Sequence, residues 1–121
     1  MMRATPAFAA LLLAGLSGAA PAQILTSLTA EPARVRVGQP VDITADFDVK
    51  AGVNCGIRLR FSDGSAEQYY KLNQTGDVPL QVSRTFDKPG KVTIFAEPRT
   101  KLPMFKCGGK DLSAVVEVLP K

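Results

Sequence analysis

The stretch Val41-Asp42-Ile43-Thr44-Ala45-Asp46-Phe47-Asp48-Val49 alternates apolar and polar side chains without a break. An apolar stripe on a helix returns every third or fourth residue, so a period of two excludes a helix here and specifies a strand with one face in a core and the other in water. The same period recurs in most of the chain after Gln23. Cys55, Ile57, Leu59 and Phe61 point one way, with Arg58 and Arg60 between them. Val92, Ile94 and Ala96 alternate with Thr93 and Phe95, and Leu112, Ala114, Val116 and Val118 form a last strand.

Turn chemistry separates these runs. Pro32 interrupts a first strand, Ile24 to Ala30, because proline cannot donate to a ladder; an edge switch is expected before Arg34 to Val37 resumes. Ser62-Asp63-Gly64-Ser65 is a turn in which Asp can bond its own backbone and Gly supplies positive φ. A strand over Ala66 to Leu72 puts Tyr69 and Tyr70 on opposite faces, and a polar loop spans Asn73 to Pro79. Leu80, Val82 and Phe86 mark a strand running to the Lys88-Pro89-Gly90 turn. Seven to eight short strands with this spacing predict an all-β fold of two packed antiparallel sheets, with a small closed barrel as the alternative.

Residues 1–22 read as a leader outside the fold. Arg3 gives a positive start, Ala7 to Leu16 an apolar run, and Ala20-Pro21-Ala22 a small-residue cleavage pattern, which predicts a signal peptide removed before Gln23. The apolar run is about half the ~20 residues a spanning helix needs, so no transmembrane segment is expected. A single domain over 23–121, periplasmic or secreted by a Gram-negative cell, follows. In that compartment Cys55 and Cys107 predict one structural disulfide, since their wide spacing is unlike a redox C-x-x-C pair.

Function classes narrow by what is missing. The chain of 121 residues contains no His, which removes imidazole-dependent nucleophiles, bases and zinc sites. No paired carboxylates face one another across a recognisable pocket, so a non-catalytic protein without cofactor or metal is expected. With 15 Lys+Arg against 11 Asp+Glu the charge is weakly basic, and no basic recognition element or interleaved aromatic sheet points to nucleic acid.

Two segments carry a family resemblance. Leu59-Arg60-Phe61-Ser62-Asp63-Gly64-Ser65 resembles the strand-and-turn motif of PKD domains, usually Trp-x-Phe-Gly-Asp-Gly, and Arg84 to Ile94 resembles the family's second motif, an aromatic residue followed by a Pro-Gly turn and an alternating strand. Leu59 stands in place of the Trp, Ser62 of a Gly and Phe86 of a Tyr. The resemblance covers roughly residues 30 to 119 and implies an immunoglobulin-like β-sandwich used for spacing or for protein and carbohydrate contacts rather than for catalysis. It also implies that Cys55 begins the third core strand and that the bridge to Cys107 tethers the loop before the last strand.

That loop is the leading candidate site. Arg99, Lys101, Lys106 and Lys110 are interleaved with Leu102, Met104 and Phe105, and Pro98 and Pro103 stiffen the segment. Exposed, the apolar trio would anchor a protein partner within a cationic rim; folded back, it would cap the sandwich. The expected function is therefore an exported binding module for a protein of the cell envelope, acting through this loop and the adjoining Val49 to Asn54 loop. Binding of an anionic polymer, lipopolysaccharide or cell-wall glycan, is the alternative. Asp42, Asp46 and Asp48 are too dispersed along one strand for a calcium cage and are expected to pair with Arg34, Arg36 or Arg84. Arg58, Arg60, Glu67, Tyr69 and Lys71 are expected on one outer sheet face, either a contact surface or an ordinary solvated one.

Overall fold

A computed structural model describes residues 23–50, 53–98 and 107–121. The expectations for residues 1–22 lie outside the described residues. Eight strands follow one another: β1 (Gln23–Glu31), β2 (Arg34–Arg36), β3 (Val41–Val49), β4 (Cys55–Phe61), β5 (Gln68–Leu72), β6 (Leu80–Arg84), β7 (Gly90–Glu97) and β8 (Leu112–Leu119). The one helical element among the described residues is a 3-10 turn, Thr75–Asp77, inside the polar loop.

The strands form two sheets, β1-β3-β6 and β2-β8-β7-β4-β5. Their buried faces contribute to one hydrophobic cluster, to which the first sheet brings Val41, Ile43, Ala45 and Phe47 and the second Ile57, Leu59, Ile94 and Val116. The alternation in the sequence is the cause, because each inward residue buries apolar area while its neighbours stay hydrated. All pairings are antiparallel except β2 with β8, which is parallel. The chain changes sheets at Pro32, where β1 ends in the three-stranded sheet and β2 begins in the five-stranded one. Two sheets, not one closed ladder, also dispose of the barrel alternative.

Departures from the sequence reading in β5, β6 and β1 have physical causes. β5 starts at Gln68 rather than Ala66, because pairing with β4 stops at Leu59 opposite Gln68 and Asp63 to Ser65 are occupied by the turn. β6 stops at Arg84, two residues short of Phe86. There Arg84 lays its guanidinium 3.7 Å over the Phe61 ring, while Phe86 enters the core and meets Phe61 edge-on at 6.4 Å. In β1 the alternation changes phase: the register slips between Leu25 and Ser27, so Leu25 and Ala30 are both buried although five residues apart. The extra residue, Thr26, donates from Oγ1 to the carbonyl of Asp46.

The turn at Ser62 is bonded as its chemistry requires. Gly64 has φ +84°, and Asp63 Oδ1 accepts from the Ser65 amide at 3.0 Å. Ser62 ties the turn to β7, its amide donating to the Thr93 carbonyl and its Oγ accepting from the Thr93 amide at 2.8 Å. Partial burial pushes the Asp63 carboxyl up, but the two Ser65 hydrogen bonds, helped by nearby Arg84, outweigh it and hold the group below its ordinary 3.8. A depressed folded-state pKa makes the ionised form the stabilising one. The contribution is therefore present above about pH 4 and fades as the pH falls through the folded value. In acid-denaturation curves Asp63→Asn is expected to flatten the pH dependence of stability below pH 4, leaving the neutral limb parallel to the parent.

Candidate functional site

Cys55, at the start of β4, and Cys107 form a disulfide, with both side chains buried. Gly108 then lies against β1: its amide donates to the Gln23 carbonyl at 2.8 Å, and its carbonyl accepts from the Leu25 amide at 2.9 Å. Gly109 is the residue that lets the chain leave this contact. Its φ is +104°, and a Cβ there would stand 2.9 Å from the Leu25 carbonyl oxygen and 3.1 Å from the Leu25 nitrogen. Both obstacles are backbone, so neither yields easily. Gly109→Ala is expected to lower stability by about 1–3 kcal/mol, read as a reduced denaturant midpoint with an unchanged slope.

This junction holds the C-terminal end of the candidate loop. Arg99, Lys101, Leu102, Met104, Phe105 and Lys106 lie outside the described residues; Lys110 is within them and exposed. At the other end β7 closes with Glu97 and a fully buried Pro98. Of the Val49 to Asn54 loop, Val53 is buried in the core and Asn54 donates its amide to Gln23 Oε1 at 3.4 Å.

Beside the junction lies the outer face of the five-stranded sheet, which holds Arg58, Arg60, Glu67, Tyr69 and Lys71 as the sequence predicts. Tyr69 and Glu97 are the register partners of Arg58 on either side, and Phe95 is that of Arg60. Arg58 Nε donates to Glu97 Oε1, Arg58 Nη1 reaches Glu67 Oε2 at 3.4 Å, and Arg60 Nη2 reaches Glu97 Oε2 at 3.5 Å. The Arg60 guanidinium also stacks 4.2 Å over the Phe95 ring. Tyr69 donates its hydroxyl to Glu67 Oε1 at 3.1 Å. The Glu97 hydrogen bond, and after it Tyr69, hold the Arg58 guanidinium above its ordinary range.

Glu97 was missed as a member of this face. Read from sequence it ends a strand before Pro98; its place two residues beyond Phe95 and four beyond Thr93 was the available signal. Its side chain is only 13% exposed, and it joins two arginines. Loss of its charge in Glu97→Gln is expected to cost about 1–3 kcal/mol in chemical denaturation, since two guanidinium groups lose a charged acceptor. A hollow of about 350 Å³ opens next to this network, lined by Arg60, Phe95, Glu97, Asp111, Leu112 and Ser113.

The acidic row behaves otherwise than expected. Asp48 pairs with Lys50 at 3.3 Å, and Asp46 accepts the Phe47 amide. Arg34 pairs with Glu117 at 2.9 Å, Arg36 donates to the Pro120 carbonyl, and Arg84 stacks on Phe61. The predicted pairs of Asp42, Asp46 and Asp48 with these arginines do not form. β3 and β2 lie in different sheets, and Arg84 turns to the inner side of β6. Among the described residues no group of three or more His, Cys, Asp or Glu is placed to hold a metal ion, and no helix is long and apolar enough to cross a membrane.

No protein-family model matches the chain, and no curated protein matches its sequence.

Proposed function

We propose that the chain is an exported, non-catalytic binding module of the immunoglobulin-like, PKD-like sandwich type, and that it contacts a protein of the cell envelope through residues 99–110. The sandwich reading draws support from the strand order, with a first strand divided between the sheets and its second half running parallel to the last strand. It is supported too by the core position of Leu59 and by the bonded Ser62 to Ser65 turn, both within the motif that resembles PKD domains.

The observation that carries the binding reading is the anchoring of the 99–110 segment. It leaves β7 at a buried Pro98 and returns at Cys107, which is bonded covalently to β4 and followed by a residue hydrogen-bonded twice to β1. Fixed ends lower the conformational entropy lost when a segment rich in cations and large apolar side chains meets a partner. The test is affinity capture from an envelope extract, with a variant carrying Ala at Lys101, Leu102, Phe105 and Lys106. A protein held by the parent and released by the folded variant supports the reading; identical capture by both moves the site to the sheet faces.

An exposed Lys110 at the fixed end of this cationic segment favours anionic polymer as the second reading. Salt separates the two, since attachment through charge weakens steeply with ionic strength and apolar anchoring resists it.

A further inference from the structure

β6 forms one edge of the three-stranded sheet β1-β3-β6. Among the described residues β6 has β3 as its only ladder neighbour, so the other side of Leu80–Arg84 presents unpaired peptide groups. The remaining edges are closed or guarded. β1 carries the Gly108 bridge over Gln23 to Leu25 and a register slip between Leu25 and Ser27, β2 has three residues, two of them arginine, and β5 bears Lys71. β6 has no proline, bulge or charge before Arg84.

Both faces beside this edge suit an alternating segment. On the inner side Leu80 and Val82 are half-buried against the core, so apolar groups laid beside them would complete their burial. On the outer side Gln81 and Ser83 pair with Thr44 and Asp42, and these four with Val82 line a hollow of about 270 Å³.

Charge selects the partner. The outer face of β1 and β3 carries Glu31, Asp42, Asp46 and Asp48, all exposed, with Lys50 on Asp48 as the one cation paired to them among the described residues. Glu31 and Asp42 stand directly opposite each other across the strands, an arrangement of like charges that is unfavourable until a cation arrives. A strand added to β6 would lie about 10 Å from β3, within reach of a long basic side chain. A second copy of β6 brings polar Gln81 and Ser83 to this side and no cation.

We propose that β6 binds an extended segment of another protein by strand addition, and that the segment alternates basic residues on the outer side with apolar residues on the inner side. Main-chain hydrogen bonds supply the attachment and the carboxylates its charge preference. The proposal is independent of residues 99–110, which follow β7 in the sequence, whereas β6 belongs to the other sheet.

The probe is a nine-residue peptide alternating lysine and valine, titrated into the disulfide-bonded protein while backbone amide resonances are followed. Shifts and slowed hydrogen exchange centred on Leu80 to Arg84 are expected, with binding lost when the central valine of the peptide is replaced by proline. The double variant Glu31→Gln, Asp42→Asn relieves a repulsion and should fold at least as well as the parent, yet its affinity should fall about tenfold or more. Ser83→Lys should weaken binding further. A glutamate and valine peptide binding equally well would overturn the charge assignment. Shifts elsewhere, no shifts, or concentration-dependent pairing of β6 with itself would overturn the edge assignment.

Discussion

Removing the Cys55–Cys107 bond is expected to lower stability by roughly 4 kcal/mol, a figure that follows from releasing a loop closed by residues 52 apart in sequence. In a domain of this length that corresponds to a fall in Tm of roughly 15–30 °C. Both cysteines are buried, so the Cys55→Ala, Cys107→Ala variant introduces no polar group into the core. Calorimetry of that variant beside the oxidised parent is the measurement. A shift of only a few degrees would mean that the Gly108 contacts with β1 hold the junction unaided. Reductant added to the parent should reproduce the variant, and the two results together exclude an effect of the alanines themselves.

Leu59→Ala is expected to cost about 2–5 kcal/mol. Leu59 is fully buried in β4, which has a strand on each side, β5 and β7, so its surroundings are held from both directions and cannot collapse into the space left behind. Urea unfolding should show the full loss in the midpoint. The converse change separates sequence likeness from packing. PKD sequences usually carry Trp at this place, but Leu59 is fully buried in the core cluster and Phe61, two residues along the same face, already meets Phe86 edge-on, so an indole must displace its neighbours. Leu59→Trp is therefore expected to destabilise by about 1–3 kcal/mol rather than to improve the core. A stabilising Leu59→Trp would show unfilled space at this point.

Much of this structure was legible in the residues because it depends on near neighbours. The strands at Val41 to Val49 and Cys55 to Phe61 needed only their alternation, and the Ser62 to Ser65 turn only its Asp and Gly. The disulfide followed from the expected compartment and from there being two cysteines. The change of sheet at Pro32 followed from a missing donor. Strand ends were less legible. Phe86 continues the apolar pattern of β6, yet the backbone leaves the ladder before it to place the ring against Phe61.

The sequence by itself determined strand type, the inward residues of β3, β4, β7 and β8, the turns and the covalent link, since each is a property of a few consecutive residues or of two reactive side chains. The tertiary structure alone decided which strands are neighbours and in what register. That choice puts Glu97 between Arg58 and Arg60, sets Glu31 against Asp42, turns Arg84 from the acidic row to the Phe61 ring, and leaves β6 with β3 as its one ladder neighbour among the described residues. It also gives Gly109 its role, because only when the chain after Cys107 lies on β1 does the Leu25 backbone exclude a Cβ. Pairing between distant segments depends on how all the inward faces fill one core together, and no local window of sequence contains that sum.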